Sequence, residues 1–513
     1  MSITKNPTKD GGLESPPGGP GDGIGIETDR AARGDGVDQP DADGRGVQGA
    51  GETALPGAGE QSPAGAAERA ARPEGAPQLA AAVVKPLFAK LFPRGLPVRF
   101  VFWDGSSVGP ESGPGRVTLH SPRAVSRLLW APGELGVARA FVSGDLDADG
   151  DAFEILRVLH AHLNRELGSG YSLVGQVVRT ASRLGVLGGP PAPPAVESRV
   201  RGRRHSKRRD RQAVTHHYDV GNDFYRLVLG PTMTYSCARF SDETMTLEEA
   251  QTAKHELVSR KLGLPELALT ARDAGFAGTA AGNRAPARLL DIGCGWGSMA
   301  IHAAALHGAQ VVGITLSSAQ AELARRRVGE AGLDGAVEIR VQDYRDLAGE
   351  TFDAISSIGM FEHVGARRMS AYFDTVVRLL RPGGRLLNHA ISSVGGSKIS
   401  RRSFVGRYVF PDGELIDVAD VVRAMERAGF EVRDVESLRE HYSRTLHAWV
   451  KNLEDHWEEA ASLVGTARAR VWWLYMTASA NGFDDGGLSI HQVLGVVPGT
   501  GGESGMPRTR DGW

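Results

Sequence analysis

The chain has 513 residues, with 59 Lys and Arg against 61 Asp and Glu and a formal net charge of −2, and its length predicts two to four domains at about 150 residues each. Two cysteines exclude a disulfide scaffold and a four-cysteine metal site, and no metal site is expected. No apolar run reaches membrane-span length and no secretory signal pattern opens the chain, so a cytoplasmic protein is expected.

The N-terminal segment differs in composition from everything that follows it. Residues 1–76 contain 17 glycines, 8 prolines and no aromatic residue, and they carry a net charge of −6 against +4 for the remainder. Such a segment cannot bury enough apolar surface to offset the entropy of its own ordering. We therefore predict a disordered tail over residues 1–77.

Apolar patterning begins near residue 78 and predicts a small α+β domain over residues 78–165. Alternating residues over 96–105 predict a strand that ends in an Asp-Gly turn. Ser121 and Pro122 predict a helix start, and Val125, Leu128 and Leu129 follow at helical spacing.

Residues 166–213 have the composition of a linker. The stretch G-G-P-P-A-P-P at 188–194 predicts a stiff break, and residues 198–212 contain eight Lys or Arg and one Asp. Three interpretations are open for the basic stretch: a solvated surface, a nucleic-acid arm, or attraction to an anionic membrane at about 1 kcal/mol per basic residue. Because no nucleic-acid motif accompanies it, no nucleic-acid partner is expected.

Strand and helix patterns alternate from residue 214 to residue 495. Predicted strands begin near residues 287, 310, 336, 352, 383 and 430. This alternation predicts an α/β domain with a mostly parallel, doubly wound sheet. We expect residues 496–513 to form a flexible C-terminal tail.

A glycine-rich turn connects the first of these strands to the first helix. It reads Asp291-Ile-Gly293-Cys-Gly295-Trp-Gly297, and its glycines let the backbone bend sharply and approach a ligand. The spacing differs from the dinucleotide pattern G-x-G-x-x-G and resembles the S-adenosylmethionine (SAM) site of class I methyltransferases. A tight turn without a ligand is the alternative.

The ends of the next two strands carry polar groups suited to the rest of such a cofactor. Where most class I members have an acid after the second strand, this chain has Thr315, Ser317 and Gln320. Their hydroxyls and amide can hydrogen-bond a ribose and a methionine tail. Asp343 and Tyr344 follow the third strand and suit the edge and face of adenine.

Several longer motifs narrow the family. They are T-L-S-x-x-Q (315–320), H-H-Y-D-V-G-N-D-F-Y-R-L-V-L-G-P-T-M-T-Y-S-C-A-R-F (216–240), G-M-F-E-H-V-G (359–365), N-H-A-I-S (388–392), Y-V-F-P-D-G-E-L (408–415) and H-Y-S-R-T-L-H-A-W (441–449). Together they resemble the cyclopropane-fatty-acyl-phospholipid synthases and mycolic acid cyclopropane synthases over residues 214–495. Residues 133–151 also resemble the N-terminal domain of the full-length phospholipid enzymes.

This resemblance implies a fold and a reaction. The fold is the Rossmann-like class I methyltransferase fold with a seven-stranded, mostly parallel sheet. In the reaction, the cis double bond of an unsaturated phospholipid acyl chain attacks the methyl group of SAM, the resulting carbocation loses a proton to a bound bicarbonate, and a cyclopropane ring closes. An alkene needs no base before this attack, but it needs proximity and a water-free pocket.

The resemblance also assigns residues to the two cofactors, SAM and bicarbonate. The implied bicarbonate ligands are Cys237, Glu362, His389, Ile391 through its backbone, and Tyr442. The implied SAM site consists of Tyr235, Ser236, Asp291, Gly293, Gly295, Thr315, Ser317, Gln320, Asp343 and Tyr344. His216 and Tyr218 are candidates for a lid, and Trp472 and Trp473 are candidates for either the acyl channel or plain core.

Several alternatives stay open at the level of sequence. A hydride shift in the cation before it loses its proton would give a methylene-branched chain, later reducible to a methyl branch, instead of a ring. Small-molecule N-methylation and non-catalytic lipid binding are more distant alternatives. An anionic membrane surface at the inner face of the membrane is the expected partner of the basic stretch, and the sequence leaves open whether the chain forms a homodimer.

Overall fold

A computed structural model describes residues 79–166, 171–198, 206–207, 209–210, 220–267, 286–396, 399–400 and 403–513. The predicted tail over residues 1–77, the candidate lid residues His216 and Tyr218, and most of the basic stretch lie outside the described residues. The helices of the described part include none that combines the length and the apolar character needed to cross a bilayer.

In the described part of the chain, an N-terminal module combines a small sheet with five helices, as expected for an α+β domain. Its strands, in the sheet order β2-β1-β3-β4, are β1 (Arg99–Val101), β2 (Ser107–Val108), β3 (Gly115–Leu119) and β4 (Leu146–Gly150). Its helices are α1 (Leu79–Leu91), α2 (Pro122–Trp130), α3 (Glu134–Val142), α4 (Ala152–Glu166) and α5 (Tyr171–Arg183). Helix α2 begins where the sequence predicts, because the Ser121 side chain accepts a hydrogen bond from the Arg123 N–H.

The module extends beyond residue 165, into the stretch expected to be a linker. Helix α5 packs against α1 and α2. The proline-rich stretch after it is also attached, since Trp130 Nε1 donates to the Gly188 carbonyl at 3.1 Å and Arg127 Nη1 donates to the Ala192 carbonyl at 3.0 Å. Tertiary hydrogen bonds therefore hold residues whose composition alone indicates a connector.

The second sheet has seven strands, and its mostly parallel character is confirmed. The strands are β5 (Arg288–Ile292), β6 (Gln310–Thr315), β7 (Val337–Val341), β8 (Phe352–Ile358), β9 (Leu380–Ser393), β10 (Glu431–Ser437) and β11 (Leu488–Val496). Their order is β10-β11-β9-β8-β5-β6-β7, in which only the two pairings of β11 are antiparallel. The central strands are buried on both faces, which explains their continuous apolar sequences.

Helices cover both faces of this sheet. They are α6 (Asn222–Leu229), α7 (Leu247–Leu262), α8 (Ser298–His307), α9 (Ser318–Glu330), α10 (Met369–Leu379), α11 (Phe404–Tyr408), α12 (Val418–Ala428), α13 (Arg439–Asp455), α14 (Trp457–Val464) and α15 (Thr466–Asp484). Helices α7, α8 and α9 form one apolar layer with the sheet, and α10 and α12 form the other. The class I architecture expected from the sequence is therefore present.

The N-terminal module and the helices α13 to α15 share a third apolar core. Beside this core, Arg470 of α15 forms an ion pair with Asp147 of β4 at 2.6 Å, with only 6% of the Arg470 side chain exposed. Arg470 also donates to the Phe141 carbonyl at 2.9 Å, and Phe141 stacks on Trp473. The N-terminal module thus packs directly against the helix α15.

The C-terminal residues expected to form a flexible tail contact the large sheet. Met506 and Trp513 pack against the apolar layer of α7 to α9, and Arg510 pairs with Asp434 of β10 at 2.8 Å. The Gly505 carbonyl accepts a hydrogen bond from Arg385. These contacts attach four of the C-terminal residues to the sheet and its helices, and the flexibility of residues 496–513 stays a prediction.

Candidate active site

A cleft opens at the carboxyl ends of β5, β6 and β7, the edge where open α/β sheets bind ligands. Nine of the ten residues assigned to SAM line it, and these are Tyr235, Ser236, Asp291, Gly293, Gly295, Thr315, Gln320, Asp343 and Tyr344. The three turn glycines have φ angles of +79°, +55° and +83°. Only glycine adopts such angles without strain, and the turn leads directly into the N-terminus of α8.

Ser317, the tenth residue, does not line the cleft but positions a residue that does. Its side chain caps α9 by accepting the Gln320 N–H at 3.3 Å. The Thr315 hydroxyl in turn donates to Gln320 Oε1 at 2.8 Å and accepts the Ser317 N–H. The motif T-L-S-x-x-Q is therefore a local network that orients the Gln320 amide towards the glycine turn.

Two buried charges lie at the base of this cleft. Asp291 accepts a hydrogen bond from Ser356 at 2.7 Å, whereas its second oxygen is buried without a partner in the described part of the chain. Burial raises the pKa of Asp291 to about 6. The Lys254 ammonium is fully buried and donates to Ser236 Oγ at 3.0 Å, and burial lowers the pKa of Lys254 to about 7. The unpartnered Asp291 oxygen fits a polar ligand in the cleft.

Asp343 and Tyr344 both line the cleft, but the Asp343 carboxylate is already hydrogen-bonded within the protein. Both Asp343 oxygens accept hydrogen bonds from Arg345, and these bonds outweigh burial, so the net pKa of Asp343 is lowered. The Tyr344 ring contacts Tyr372 edge-on at 5.3 Å. Recognition of adenine by these two residues stays a prediction, with Asp343 already engaged by Arg345.

A second cavity lies next to the cleft, and all five residues assigned to bicarbonate line it: Cys237, Glu362, His389, Ile391 and Tyr442. Four residues form a wall common to both spaces, namely Tyr235, Ser236, Gly359 and His363. The structure therefore brings together segments more than 200 residues apart in sequence, and it places the two predicted sites side by side.

Glu362 and His389 present polar atoms that have no partner among the described residues. These atoms are Glu362 Oε2 and His389 Nε2, and both are shielded from solvent. Burial raises the pKa of Glu362 to about 7 and lowers the pKa of His389 well below its usual range. His389 is thus neutral and carries one ring proton. Gln492 Nε2 lies 3.3 Å from His389 Nδ1. If the Gln492 amide donates to Nδ1, the ring proton of His389 is on Nε2.

This chemistry fits a small oxyanion such as bicarbonate. His389 Nε2–H would donate to it, and Glu362 Oε2 would accept its proton or, when protonated, donate to it. The Ile391 N–H already donates to Glu362 Oε1 at 2.7 Å, so it is only partly available to a bound anion. The Cys237 sulfur lies 3.1 Å from the Ala238 carbonyl, and burial raises the pKa of this thiol. The thiol is therefore neutral, and it contacts the backbone as well as the cavity.

The rest of the second cavity is apolar and aromatic except for Ser479. Beyond the five assigned residues and the common wall, it is lined by Ile399, Val405, Phe410, Gly413, Leu415, Leu446, Tyr475, Ser479, Phe483, Leu488 and Ile490. Trp472 and Trp473 line neither this cavity nor the cleft. Trp472 packs among other aromatic rings in the core, and Trp473 donates to Glu454. The helix α15 therefore contributes other residues to the wall than the tryptophans considered from the sequence.

Sequence reasoning missed several residues of the site. His363 borders both spaces and directly follows Glu362 in a motif already recognised, so proximity to that motif could have identified it. Lys254 lies in a helix whose sequence is polar on most sides, and its burial follows only from tertiary packing. Gln492 lies on β11, the one strand that the alternation of strands and helices did not predict.

A glycine-turn cleft at the carboxyl edge of this seven-stranded sheet defines a class I, SAM-dependent methyltransferase. The family model described as mycolic acid cyclopropane synthetase matches residues 205–271 and 279–493, more than half of the chain. The chain belongs to this family.

Relatives from two bacteria show how far the similarity extends. A probable fatty acid methyltransferase of Mycobacterium tuberculosis is 40% identical over 80% of this chain and 93% of its own length. The cyclopropane-fatty-acyl-phospholipid synthase of Escherichia coli is 32% identical over 75% of this chain and 88% of its own. The solved structure of the cyclopropane synthase MmaA2 from M. tuberculosis is 32% identical and covers 56% of this chain and 98% of its own, with a TM-score of 0.49. The resemblance inferred from the motifs is confirmed at the level of the family.

The substitution Gly293→Ala tests the cleft. A Cβ at this position would lie 3.0 Å from Met360 Cβ, and the φ of +79° adds strain. We expect SAM affinity to fall about tenfold or more, equivalent to ~1.4 kcal/mol, in a calorimetric titration. Gly308→Ala is the matched control, since Gly308 has a φ of +63° but open space around its Cβ position, and it should leave SAM affinity unchanged. Equal affinity in both variants would contradict the assignment of the turn.

Proposed function

We propose that this SAM-dependent, lipid-modifying methyltransferase acts on the cis double bond of an unsaturated phospholipid acyl chain and forms a cyclopropane ring. The observation that carries the proposal is the second cavity, in which Glu362 and His389 lie beside the SAM cleft within an apolar, aromatic wall. When bound, SAM supplies the methyl group and bicarbonate supplies the base that accepts the final proton.

The residues of the chain perform the other tasks of this reaction. The common wall of Tyr235, Ser236, Gly359 and His363 sets the approach of an acyl chain to the cofactor. The apolar lining excludes water, which would otherwise trap a carbocation. The Tyr442, Tyr475 and Phe483 rings offer aromatic faces that stabilise positive charge, and the neutral Cys237 thiol is a weak nucleophile.

A second outcome is supported by a specific observation. The M. tuberculosis relative that is 40% identical is named a probable fatty acid methyltransferase. This name supports a second candidate product, a methylene-branched chain from the same first step, which a separate reductase would convert into a methyl-branched chain. The fate of the cation depends on where the base is held, and the residues that hold it in this proposal, Glu362 and His389, serve either outcome.

We also propose that the protein binds the anionic, inner face of the membrane. A homodimer is the alternative to a monomer. The basic stretch over 198–212 supports attraction to anionic lipid. Two of its described members are already ion-paired to the catalytic domain, Lys207 with Asp346 and Arg209 with Asp412. The remaining basic residues of the stretch are the ones that the proposal assigns to lipid.

Product analysis after expression in a host without such enzymes, with oleate supplied, tests the proposal. We expect a fatty acid heavier by one methylene group whose NMR spectrum contains cyclopropane protons. Because a ring and a methylene branch have the same mass, NMR or fragmentation distinguishes them, and a branch would replace the first proposal by the second. Unmodified oleate, from a protein that also fails to bind SAM, would contradict both.

A further inference from the structure

Three side chains of metal-ligating type converge between α7 and α8, and they line neither of the two cavities. They are Glu256 of α7 and His302 and His307 of α8, and their ligand atoms all lie within 4.8 Å of one another. His302 Nε2 lies 3.3 Å and His307 Nε2 lies 3.0 Å from the same oxygen, Glu256 Oε2. An ordinary ion pair needs one imidazole, whereas here two are aimed at a single carboxylate oxygen.

We propose that Glu256, His302 and His307 bind a divalent transition-metal ion, with zinc as the preferred metal. A zinc ion about 2.0–2.1 Å from each ligand atom in a tetrahedral site separates those atoms by roughly 3.3 Å, and both observed nitrogen–oxygen distances are within 0.3 Å of that value. Two imidazoles and a carboxylate form a donor set that suits zinc, nickel or cobalt and does not suit magnesium or calcium.

The surroundings of the three residues support a three-ligand site with an open position. The His302 and His307 side chains are only 8% and 10% exposed, whereas Glu256 is 29% exposed. A water molecule can therefore reach the ion from the Glu256 side and complete the coordination. Arg260 Nε donates to the other carboxylate oxygen at 2.8 Å, which fixes the orientation of Glu256, as outer partners of metal ligands commonly do.

A metal ion at this position would connect two helices that border the SAM cleft. His255, next to Glu256, and Ser298, at the start of α8, both line the SAM cleft. An ion held by Glu256 and the two histidines would therefore cross-link α7 to the helix that follows the glycine turn. We expect zinc to raise the midpoint of thermal unfolding of the full chain.

Calorimetric titration of tag-free, full-length protein with zinc tests the site, and cobalt provides a spectroscopic probe of the geometry. We expect one zinc ion per chain and visible absorption bands of tetrahedral cobalt. His302→Gln, His307→Gln and Glu256→Gln should each weaken binding about tenfold or more. His120→Gln is the matched control, because His120 also contacts a carboxylate, Asp147, at 3.1 Å, but no second imidazole from the described part of the chain joins that pair.

Circular dichroism without metal checks that each variant is folded. Glu256→Gln preserves the shape of a partly exposed side chain, so it keeps the test decisive if a histidine variant does not fold. Zinc binding that persists unchanged in the folded ligand variants overturns the proposal. A wild-type protein that takes up no zinc overturns it too, and neither result bears on the methyl-transfer proposal.

Discussion

Glu362→Gln should lower turnover roughly 10²–10³-fold while SAM affinity stays within a factor of about three of wild type, equivalent to ~0.6 kcal/mol. The glutamine preserves the shape of the side chain, and its amide oxygen can still accept the Ile391 N–H that Glu362 Oε1 accepts at 2.7 Å. What changes is the second oxygen, which becomes an N–H₂ group. An anion that needs an acceptor for its proton at this position would lose its orientation towards the substrate.

Single-turnover kinetics and calorimetric SAM titration separate these two effects. Glu414→Gln is the matched control, because Glu414 also accepts a backbone N–H, that of Ala366 at 3.0 Å, but does not line the second cavity. That variant should retain full turnover. Full turnover in the Glu362→Gln variant would contradict the role of Glu362 in holding the anion. Loss of SAM binding would indicate that Glu362 acts in cofactor binding instead.

The same variant should change how stability depends on pH. Burial raises the pKa of Glu362 from 4.5 to about 7 in the folded protein, so the folded state holds this proton more tightly than the unfolded state. The associated stability is complete below pH 4.5 and is lost as the pH rises through 7. At pH 8 the glutamine variant should therefore be more stable than wild type by about 2–4 kcal/mol. Denaturant unfolding at pH 5 and pH 8 measures this, and equal stability of the two proteins at pH 8 would contradict the raised pKa.

The sequence predicts the parallel part of the large sheet because burial on both faces produces apolar runs between glycines. Leu289 and Leu290 of β5 are fully buried and are followed directly by the glycine turn. Strand β11 lacks this pattern. It carries Ser489 and Gln492, both buried and polar, and pairs antiparallel between β9 and β10. A strand stabilised by such specific pairing is not visible as an apolar run.

In the candidate site, too, residues within sequence motifs can be predicted, whereas residues brought in only by packing cannot. Residues within motifs are brought together as the family resemblance implies, and all five assigned to bicarbonate line one cavity. Lys254 and Gln492 become part of the site only through packing, because Lys254 meets Ser236 from another segment and Gln492 meets His389 across a strand pair. Local patterns do not encode such encounters, so the structure is needed to find them.

Asp147→Ala should lower the free energy of unfolding by about 3 kcal/mol. The Arg470 guanidinium is 6% exposed and pairs with Asp147 at 2.6 Å, and removing one partner of a buried ion pair leaves a buried charge at a cost of about 3–5 kcal/mol. The lower end applies, because Arg470 keeps its hydrogen bond to the Phe141 carbonyl. Denaturant unfolding of the full chain measures the loss.

Asp149→Ala is a control on the same strand, two residues further along β4. Asp149 pairs with Arg116 at 3.0 Å, but their side chains are 36% and 59% exposed, and exposed pairs contribute less than about 1 kcal/mol. Both substitutions replace aspartate by alanine in one strand, so strand propensity cancels in the comparison. Equal, small losses in the two variants would show that the buried pair does not hold the N-terminal module to α15.

Helix α15 contacts both the N-terminal module and the second cavity, so the Asp147→Ala substitution should also affect catalysis. It carries Arg470 towards the N-terminal module, and about one and a half to three and a half turns later it carries Tyr475, Ser479 and Phe483 into the wall of the second cavity. Weakening its attachment in Asp147→Ala should therefore accelerate hydrogen exchange along α15 before the large sheet opens. Since none of these residues lines the SAM cleft, turnover should fall further than SAM affinity, and the reverse order would contradict a supporting role of the N-terminal module for the cavity.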